Sequence, residues 1–520
     1  MKSPGAKALA LLWHDGAKRE ECLRAIIGER LAARPAPILE DCIVATYFFA
    51  FRSQKLEQAV EEISYHATIG VKLPPAGSLL PERRINAAAG ARASVARSDE
   101  PPLLATKTPS APDSVGGSLR TGKSARRLLA ACAARPAGTD AFDRTNRLGL
   151  VHVAFPLKMM LQPDGHLTSC DILHTVAAAI VFDVYENQDA RLIGLQIPEK
   201  VIRTFPGPAH GPFGVRKLTG FGQDEPAFGT ILKPTAGITA QDVGALVAQI
   251  ATCRLFLFVK EDEDLYPNLD YCPVAERTRL AVAAIRKAGR QRGGLGLIFA
   301  PHISAAPHEI LALAEAALEA GATGLMFSET FAGGTVRMIR EAVKSRPNPP
   351  ALYGHNAGIG IKTRGIWREV IDLLARLDGI DFRQTAPVRP GKPFLLPYGA
   401  EWTASEQTLT RPLPGIAPTM IVRAGALDQG NIGLNLADAE RRGLTGQVLF
   451  LAGSAINSIK DKRGRPSPQL GAEAMLQALE VHRSGELRDV PMSKHLSALR
   501  GVAARKRLGA LREALRQRYP

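Results

Sequence analysis

The sequence predicts an α/β protein in which an N-terminal ferredoxin-like α/β domain is followed by a (β/α)8 TIM barrel. From Phe228 onward, short apolar runs alternate with helical stretches, a pattern typical of parallel strands joined by crossover helices. Eight such units follow one another, which is the number that closes a barrel. Before them, strand-like and amphipathic stretches alternate on a smaller scale, as in a ferredoxin-like sheet covered by helices.

The chain divides into four predicted regions, separated by changes in composition and periodicity. They are a helical N-terminal extension at 1–39, the ferredoxin-like domain at 40–204, the TIM-barrel catalytic domain at 205–490 and a basic helical tail at 491–520. Within the second region, residues 73–138 are rich in Ala, Ser, Pro, Gly and Arg and keep no hydrophobic period. This composition predicts an irregular or disordered insertion.

The hydrophobic pattern places the individual elements. In the N-terminal half, the predicted helices are 16–32, 54–65 and 172–184, and the predicted strands are 42–51, 150–155 and 191–197. The predicted barrel strands are 229–232, 256–259, 295–299, 325–327, 351–353, 380–382, 420–422 and 448–451. Helical patterns lie at 239–252, 274–287, 308–320, 335–344, 364–377 and 468–482.

The net charge of +16 and the pI near 9.7 invite the hypothesis of a nucleic-acid partner. The positive excess concentrates in residues 73–138 and 497–520, and in the second stretch a solvated helix face is the simpler explanation. Incidental binding to RNA or another acidic surface is the alternative. Because no aromatic residues interleave with these charges, we predict no specific nucleic-acid partner.

Several functional classes are excluded by simple patterns. The six cysteines are scattered without a CxxC pair, which favours a reducing compartment. The apolar run 8–13 is too short for a signal peptide or a membrane span, so we expect a soluble cytoplasmic protein. Residues 117–124 match the phosphate-loop pattern GxxxxGK[ST], but no hydrophobic strand precedes them, and we predict no ATP site there.

A buried strand that ends in one lysine and four acids organises the candidate site. The run 255–259 is apolar, and Lys260-Glu-Asp-Glu-Asp264 follows at its carboxyl end. Strand alternation puts Lys260 and Asp262 on one face, with Glu263 just beyond. Hard oxygen ligands suit Mg²⁺, and Lys260 joins them if its nitrogen carries CO₂ as a carbamate. The alternative is a lysine paired with its acidic neighbours.

Further polar residues follow the other predicted strands, at the rim where barrel enzymes build their sites. Lys233 is a candidate base for an α-proton, and His355 is a second candidate for proton transfer. Bound Mg²⁺ would stabilise the resulting enediolate. The turn Gly453-Ser454 stands where barrels bind phosphate, although a bare turn is the alternative. The predicted substrate-binding residues are His302, Asn356, Gln384, Gly425, Gly453 and Ser454.

Four motifs resemble the ribulose-bisphosphate carboxylase (RuBisCO) large-subunit superfamily. They are the first-strand sequence Gly229-Thr-Ile-Leu-Lys-Pro-Thr-Ala-Gly237, the metal motif Lys260-Glu-Asp-Glu263, the interdomain signature Phe205-Pro-Gly-Pro-Ala-His-Gly211 and the fifth-strand motif Gly354-His355-Asn356 with Arg364. The resemblance implies Lys233 as the catalytic lysine and a Mg²⁺ site formed by carbamylated Lys260, Asp262 and Glu263. It also implies a homodimer in which the N-terminal domain of one subunit covers the barrel of another.

Departures from the carboxylase pattern imply a non-carboxylating, RuBisCO-like protein. A second lysine is replaced by Thr235, and the sequence has Asn356 where the family has a phosphate-gripping arginine. The sixth-strand histidine is Gln384 and the seventh-strand serine is Ala424. A glutamate and an asparagine of the N-terminal domain are missing from residues 65–68 and 177–179, and both Arg389 and Lys392 are candidates for the lid lysine.

These features predict a Mg²⁺-dependent enzyme that enolises a phosphorylated keto-sugar or sugar acid carrying at most one phosphate. Its reaction would be of the isomerase, tautomerase or decarboxylase type. One alternative is a genuine ribulose-bisphosphate carboxylase. Another is a non-catalytic binding protein whose dimer site the 73–138 segment has spoiled.

Overall fold

The computed structural model describes residues 16–65, 123–178, 187–330, 334–388 and 399–520. Two sheets organise these residues, one antiparallel with four strands and one parallel with eight. The predicted fold class, an antiparallel α/β domain followed by a barrel, is confirmed. The phosphate-loop match falls mostly outside the described residues, and its last two residues begin the helix Lys123–Cys132.

The N-terminal sheet has the connectivity of a ferredoxin-like fold. Its strands run Cys42–Phe51, Arg135–Ala141, Leu148–Pro156 and Asn187–Gln196, and the first and third strands form its centre. All neighbouring pairs are antiparallel. The helices Leu56–Tyr65 and Ser169–Leu173 follow the first and third strands, which completes the β-α-β-β-α-β order.

The central strand Cys42–Phe51 is buried at every position, so both faces of the sheet must be covered. On one face, its alternate residues Tyr47 and Phe49 pack in a cluster with the helix Leu56–Tyr65. On the other face, Phe48 packs against the helix Gly16–Ala33. The helix Gly16–Ala33 therefore covers the second face of the sheet.

The prediction of an irregular segment at 73–138 was wrong for its carboxyl end. The structure forms the helix Lys123–Cys132 and the strand Arg135–Ala141 there. This strand lies at the edge of the sheet and shifts register between Pro136 and Gly138. An edge strand tolerates proline and glycine because one of its sides needs no ladder hydrogen bonds, which is why the composition concealed it. Residues 66–122 lie outside the described part of the chain.

The eight parallel strands form the barrel predicted from the alternating pattern. They are Ala227–Ile231, Phe256–Lys260, Ile298–Ala300, Gly324–Phe327, Ala351–Gly354, Phe382–Thr385, Met420–Ala424 and Val448–Ala452, and they are called barrel strands 1 to 8 below. Strand 8 pairs with strand 1, and an isolated bridge between His302 and Met326 joins strand 3 to strand 4. Side chains such as Phe258, Tyr353 and Phe382 fill the interior.

In the part of the chain that the structure describes, eight helices surround the barrel, and two of them were not predicted. They are Ala240–Ala251, Val274–Ala288, Ile310–Glu319, Thr335–Val343, Arg368–Asp378, Gly399–Thr410, Ile432–Arg441 and Pro468–Arg483. The sixth was missed because its buried positions include the polar residues Glu401, Ser405 and Glu406, which hide a hydrophobic period. The seventh carries the buried Asn435 in the same way.

The edge of the N-terminal sheet contacts the barrel, and the last helices of the chain pack on the outside of the barrel. Leu192 at the edge of the N-terminal sheet exchanges backbone hydrogen bonds of 2.9 Å with Gly365 and 2.8 Å with Trp367. Two further helices, His495–Arg505 and Gly509–Arg518, pack on the eighth barrel helix through buried leucines. Within the described ranges, no helix is long and apolar enough to cross a membrane. All six cysteines are free thiols.

Candidate active site

Barrel strand 2 delivers Lys260 into the barrel mouth as a fully buried side chain. Its Nζ atom donates to the carbonyl of Glu261 at 2.9 Å and lies 3.5 Å from Oε2 of Glu263. The ring of Tyr353 lies 5.6 Å away. Burial lowers the pKa of Lys260, against the opposing effect of Glu263 and Asp262. A lowered pKa increases the fraction of neutral amine, which is the form that can react with CO₂.

Glu261 points away from the mouth, as strand alternation requires. Its carboxylate accepts two hydrogen bonds from the buried guanidinium of Arg277, at 2.9 and 2.8 Å, and a third from the backbone N–H of His302 at 2.8 Å. This buried pair ties strand 2 to the helix Val274–Ala288 and to the end of strand 3. Lys260 and Asp262 are consequently held on the opposite side, facing the mouth.

Lys233 follows barrel strand 1 and reaches across to strand 2. Its Nζ atom lies 2.5 Å from Oδ2 of Asp262. The Lys233 side chain is 32% exposed whereas Asp262 is buried, so the lysine is open to the mouth and its partner closes the floor. The two residues that the sequence assigned to separate roles, base and metal ligand, are in direct contact.

His355 follows barrel strand 5 and contacts the third acid. Its Nε2 atom lies 3.2 Å from Oε2 of Glu263, and its Nδ1 atom accepts the backbone N–H of Ala357 at 3.1 Å. Because Nδ1 accepts, the ring proton belongs on Nε2, the nitrogen that faces Glu263. Burial, reinforced by the nearby Lys260, holds the pKa of His355 well below its ordinary value. His355 is therefore a neutral imidazole in contact with Glu263.

His302 follows barrel strand 3 and is almost fully buried. Its Nδ1 atom lies 3.1 Å from the carbonyl of Leu265, which assigns the ring proton to that bond. Burial lowers the pKa of His302 to about 4. Its Nε2 atom is buried without a hydrogen-bond partner among the described residues. A neutral histidine here presents a free lone pair.

The donor set fits a divalent cation under one condition. Across the described ranges, no three His, Cys, Asp or Glu side chains come together as a ready metal site. Asp262 and Glu263 supply two carboxylates, and each is now matched with the nitrogen of a lysine. A carbamate on Lys260 would remove one of those positive charges and add the third anionic oxygen that Mg²⁺ prefers.

Two predicted substrate-binding residues are already engaged with the protein. The amide nitrogen of Asn356 donates to the carbonyl of Gln384 at 2.7 Å, and its oxygen accepts from Arg368 at 3.0 Å. The Gln384 side chain accepts from the hydroxyl of Tyr353 at 2.8 Å. Strand 6 begins two residues later than predicted, which places Gln384 within the strand. Both side chains therefore form hydrogen bonds within the protein at the ends of strands 5 and 6.

The predicted phosphate turn is anchored beside Lys233. Asn457 donates to the carbonyls of Gly453 at 3.0 Å and Ile231 at 2.8 Å, which fastens the turn to strand 1. A Cβ atom on Gly453 would stand 3.6 Å from Cε of Lys233. Ser454 contacts Arg518 of the last helix. After strand 7, Gly425 has a φ of 89°, a conformation that favours glycine.

Two residues at the site were not predicted from the sequence, and several residues that the sequence singled out lie outside the described ranges. Tyr353 could have been found, because it alternates inward on a predicted strand. Arg518 gave no signal, because only tertiary packing brings the last helix to the rim. Residues 66–68, Arg389 and Lys392 lie outside the described residues.

Comparisons with known proteins show which family this chain is similar to. Residues 215–393 match the family model described as the ribulose bisphosphate carboxylase large chain, catalytic domain. An uncharacterized ribulose bisphosphate carboxylase-like protein of Bordetella bronchiseptica is 32% identical over 37% of this chain, and the match spans only 44% of that relative. The 3-oxo-isoapionate-4-phosphate decarboxylase of Rhizobium rhizogenes is 28% identical over 66% of this chain and 77% of its own length.

The solved structures agree on the fold. The octameric ribulose-1,5-bisphosphate carboxylase/oxygenase of Pyrococcus horikoshii superposes with a TM-score of 0.67 at 18% identity, over 92% of this chain and 96% of that one. The order of the two domains is the one that the sequence predicted. The chain is similar to the ribulose-bisphosphate carboxylase large-chain superfamily, with the match to the catalytic-domain model over residues 215–393.

Proposed function

We propose that this protein is a RuBisCO-like, Mg²⁺-dependent enzyme that forms an enolate from a phosphorylated keto-sugar or sugar acid. One observation carries the proposal. Two groups of contacts meet at the ends of three different strands: Lys233 lies 2.5 Å from Asp262, while Glu263 lies 3.5 Å from Lys260 and 3.2 Å from His355. A structural ion pair needs two such groups, whereas five charged or titratable side chains gathered at a barrel mouth are the arrangement expected of catalysis.

In this proposal, Lys260 as a carbamate, Asp262 and Glu263 hold Mg²⁺. A divalent cation in this place supplies electrostatic stabilisation for the enolate oxygen. Lys233 moves the proton at the carbon beside the carbonyl, because it is the partly exposed nitrogen facing the mouth. His355 keeps Glu263 oriented, and the rings of Tyr353 and Phe258, stacked 5.5 Å apart, close the floor against water.

The substrate class follows from the rim. The turn at Gly453 and Ser454 is proposed to bind one phosphate. The position at which the family has a second phosphate-binding arginine holds Asn356, whose amide is already engaged. The Rhizobium relative is named a decarboxylase of a phosphorylated 3-oxo acid. Loss of CO₂ from a 3-oxo acid also leaves an enolate, so the same site would serve decarboxylation as well as isomerisation.

We further propose that the protein is a homodimer, with the N-terminal domain of one subunit covering the barrel of the other. The Pyrococcus structure is octameric, which supports self-association in the superfamily. The Lys233 side chain is open to the barrel mouth in the single chain, as expected if a second subunit closes it.

Hydrogen–deuterium exchange at the α-carbon tests the function. A panel of ketose phosphates and 3-oxo sugar-acid phosphates is incubated in D₂O with Mg²⁺ and bicarbonate, and exchange and CO₂ release are followed by NMR. We expect activity in the wild type, no activity in Lys233→Ala, and unchanged activity in Lys344→Ala, which removes an exposed lysine. If α-proton exchange persists in Lys233→Ala, Lys233 is not the residue that moves this proton.

The same panel separates the alternatives. Incorporation of labelled CO₂ into ribulose bisphosphate would identify a carboxylase. Binding of Mg²⁺ and of sugar phosphates without exchange or CO₂ release, in a protein of established oligomeric state, would identify a non-catalytic binding protein.

A further inference from the structure

We propose that Arg518, at the end of the last helix, is a phosphate-binding residue that completes the anion subsite at Gly453 and Ser454. This inference rests on the proposed function, in which that turn receives the phosphate group of the substrate. It adds a cationic ligand from outside the barrel to a subsite that the barrel strands form only in part.

The guanidinium of Arg518 lies between the loops after barrel strands 7 and 8. Its Nη1 atom is 3.5 Å from the hydroxyl of Ser454, and its Nε atom is 3.4 Å from Oδ2 of Asp428. The side chain is 23% exposed, so it is held by its neighbours and still reachable by a ligand. The arginine edge with Nε faces Asp428, and the Nη1 side faces the turn.

Tyr519 fixes the helix end over the strand 7 loop. Its hydroxyl lies 2.8 Å from each oxygen of the Asp428 carboxylate. Oδ1 of Asp428 also accepts the backbone N–H groups of Gly430 at 2.8 Å and Asn431 at 3.2 Å. A Cβ atom on Gly430 would stand 2.6 Å from the Tyr519 ring, so only glycine leaves room for it. The loop and the helix end are built to fit one another.

The strand 8 loop holds the same helix from its other side. The amide of Gln517 accepts from the backbone N–H of Lys460 at 2.9 Å and donates to the Lys460 carbonyl at 2.9 Å. Leu511 and Leu515 bury the inner face of the helix. In contrast, the neighbouring Arg516 is 72% exposed and pairs with Glu513 of its own helix. Arg518 is therefore placed by the rim, whereas Arg516 belongs to the solvated face.

The charges around the turn suit a phosphate monoester. Lys233 lies beside Gly453, and Arg518 contacts Ser454. Asp428 is the opposing charge, but Tyr519 and two backbone N–H groups already share its oxygens. A phosphate over the turn would accept from Ser454 and from the free N–H groups of Arg518, whose planar fork matches phosphate oxygens.

Binding of inorganic phosphate to the full chain tests the inference without turnover. We expect Arg518→Ala to weaken phosphate binding about tenfold, the effect of one charge-assisted hydrogen bond. Arg518→Lys should lose less, because it keeps the charge but not the fork. Arg516→Ala removes the same charge two residues away and should leave the affinity unchanged. Unfolding midpoints of all three variants establish that they are folded.

Each outcome decides the matter. Selective loss in Arg518→Ala supports the subsite, and the KM for the sugar phosphate should then rise while kcat changes little. Equal losses in Arg516→Ala and Arg518→Ala would reveal only a general charge effect and overturn the inference, as would unchanged affinity in both. If Arg518→Ala loses phosphate binding while the wild type catalyses no α-proton exchange, the subsite stands and the proposed enolising function fails. If α-proton exchange depends on Lys233 but phosphate affinity is unchanged in Arg518→Ala, the proposed enolising function is supported and the proposed role of Arg518 is wrong.

Discussion

The Nζ atom of Lys233 lies 2.5 Å from Oδ2 of Asp262, so an ion pair joins barrel strands 1 and 2 at the centre of the candidate site. Asp262 is proposed to bind Mg²⁺ and Lys233 to transfer a proton, and neither residue can do so while it is paired with the other. If Asp262 binds Mg²⁺ as proposed, its charge would turn to the cation and Lys233 would be free to exchange protons with a substrate. We therefore expect Mg²⁺ to weaken this pair.

A double-mutant cycle on this pair should register that change. In metal-free protein, Lys233→Ala and Asp262→Asn should couple by about 1 kcal/mol in the free energy of unfolding, since the lysine is partly exposed. With saturating Mg²⁺ and bicarbonate, the coupling should fall towards zero. Urea titrations of the four proteins measure it. A coupling that does not respond to Mg²⁺ would mean that Asp262 is not a ligand.

Bicarbonate should control the affinity for Mg²⁺ through Lys260. Burial lowers the pKa of this lysine, which keeps the reactive amine available. We expect calorimetric Mg²⁺ binding to strengthen on addition of bicarbonate in the wild type. Lys260→Met, which preserves the volume of the buried side chain, should bind weakly with or without bicarbonate. Mg²⁺ binding that ignores bicarbonate in the wild type argues against the carbamate.

His355 should act on Mg²⁺ binding more than on proton transfer. Its Nε2 atom lies 3.2 Å from the Glu263 carboxylate, and its lowered pKa keeps it neutral near pH 7. Replacement of a residue that orients a metal ligand typically costs at least about tenfold in metal affinity. We expect His355→Gln to weaken Mg²⁺ by that factor while the shape of the pH–rate profile stays the same. Loss of a rate inflection in the variant would instead identify His355 as a proton carrier.

Asn356 should contribute more to stability than to substrate affinity. Its side chain bridges the carbonyl of Gln384 and the guanidinium of Arg368. Truncation removes both bonds, while Arg368 still donates to the Gln384 carbonyl, so Asn356→Ala should lower the free energy of unfolding by about 1 kcal/mol. Urea unfolding and steady-state kinetics are the measurements. Full stability combined with a raised KM would restore the predicted role in substrate binding.

Asp378 should make the fold less stable as the pH rises. Burial raises the pKa of Asp378 from 3.8 to about 6. Its carboxylate accepts a hydrogen bond from the hydroxyl of Ser169 in the N-terminal domain. Because the folded protein holds the carboxyl proton more tightly than the unfolded chain, the stabilisation is full below pH 4 and is lost as the pH rises past 6. Asp378→Asn should gain about 2–3 kcal/mol at pH 8 relative to the wild type.

Little difference between Asp378→Asn and the wild type is expected at pH 4, where the native carboxyl is protonated. Thermal or urea unfolding at both pH values provides the comparison. A gain of the same size at both pH values would point to a cause other than ionisation.

Local chemistry explains which elements the sequence predicted well. Barrel strands such as Phe256–Lys260 are continuous apolar runs, because parallel strands are covered on both faces. The alternation that turns Glu261 outward and Lys260 inward is a property of a single strand, and it was available without any tertiary information. The helix Gly399–Thr410 was missed because its buried face is polar and satisfied by arginines from other elements.

By itself, the sequence determined the barrel, the order of the two domains and the residue types at each strand end, because periodicity and side-chain chemistry are local properties. The tertiary structure decided which of these residues meet. Lys233 pairs with Asp262, and the amide of Asn356 donates a hydrogen bond to the carbonyl of Gln384. Arg518 contacts Ser454, which lies 64 residues earlier in the chain. Such contacts depend on how strands register around the barrel and where the last helix docks, and packing of the whole core sets both.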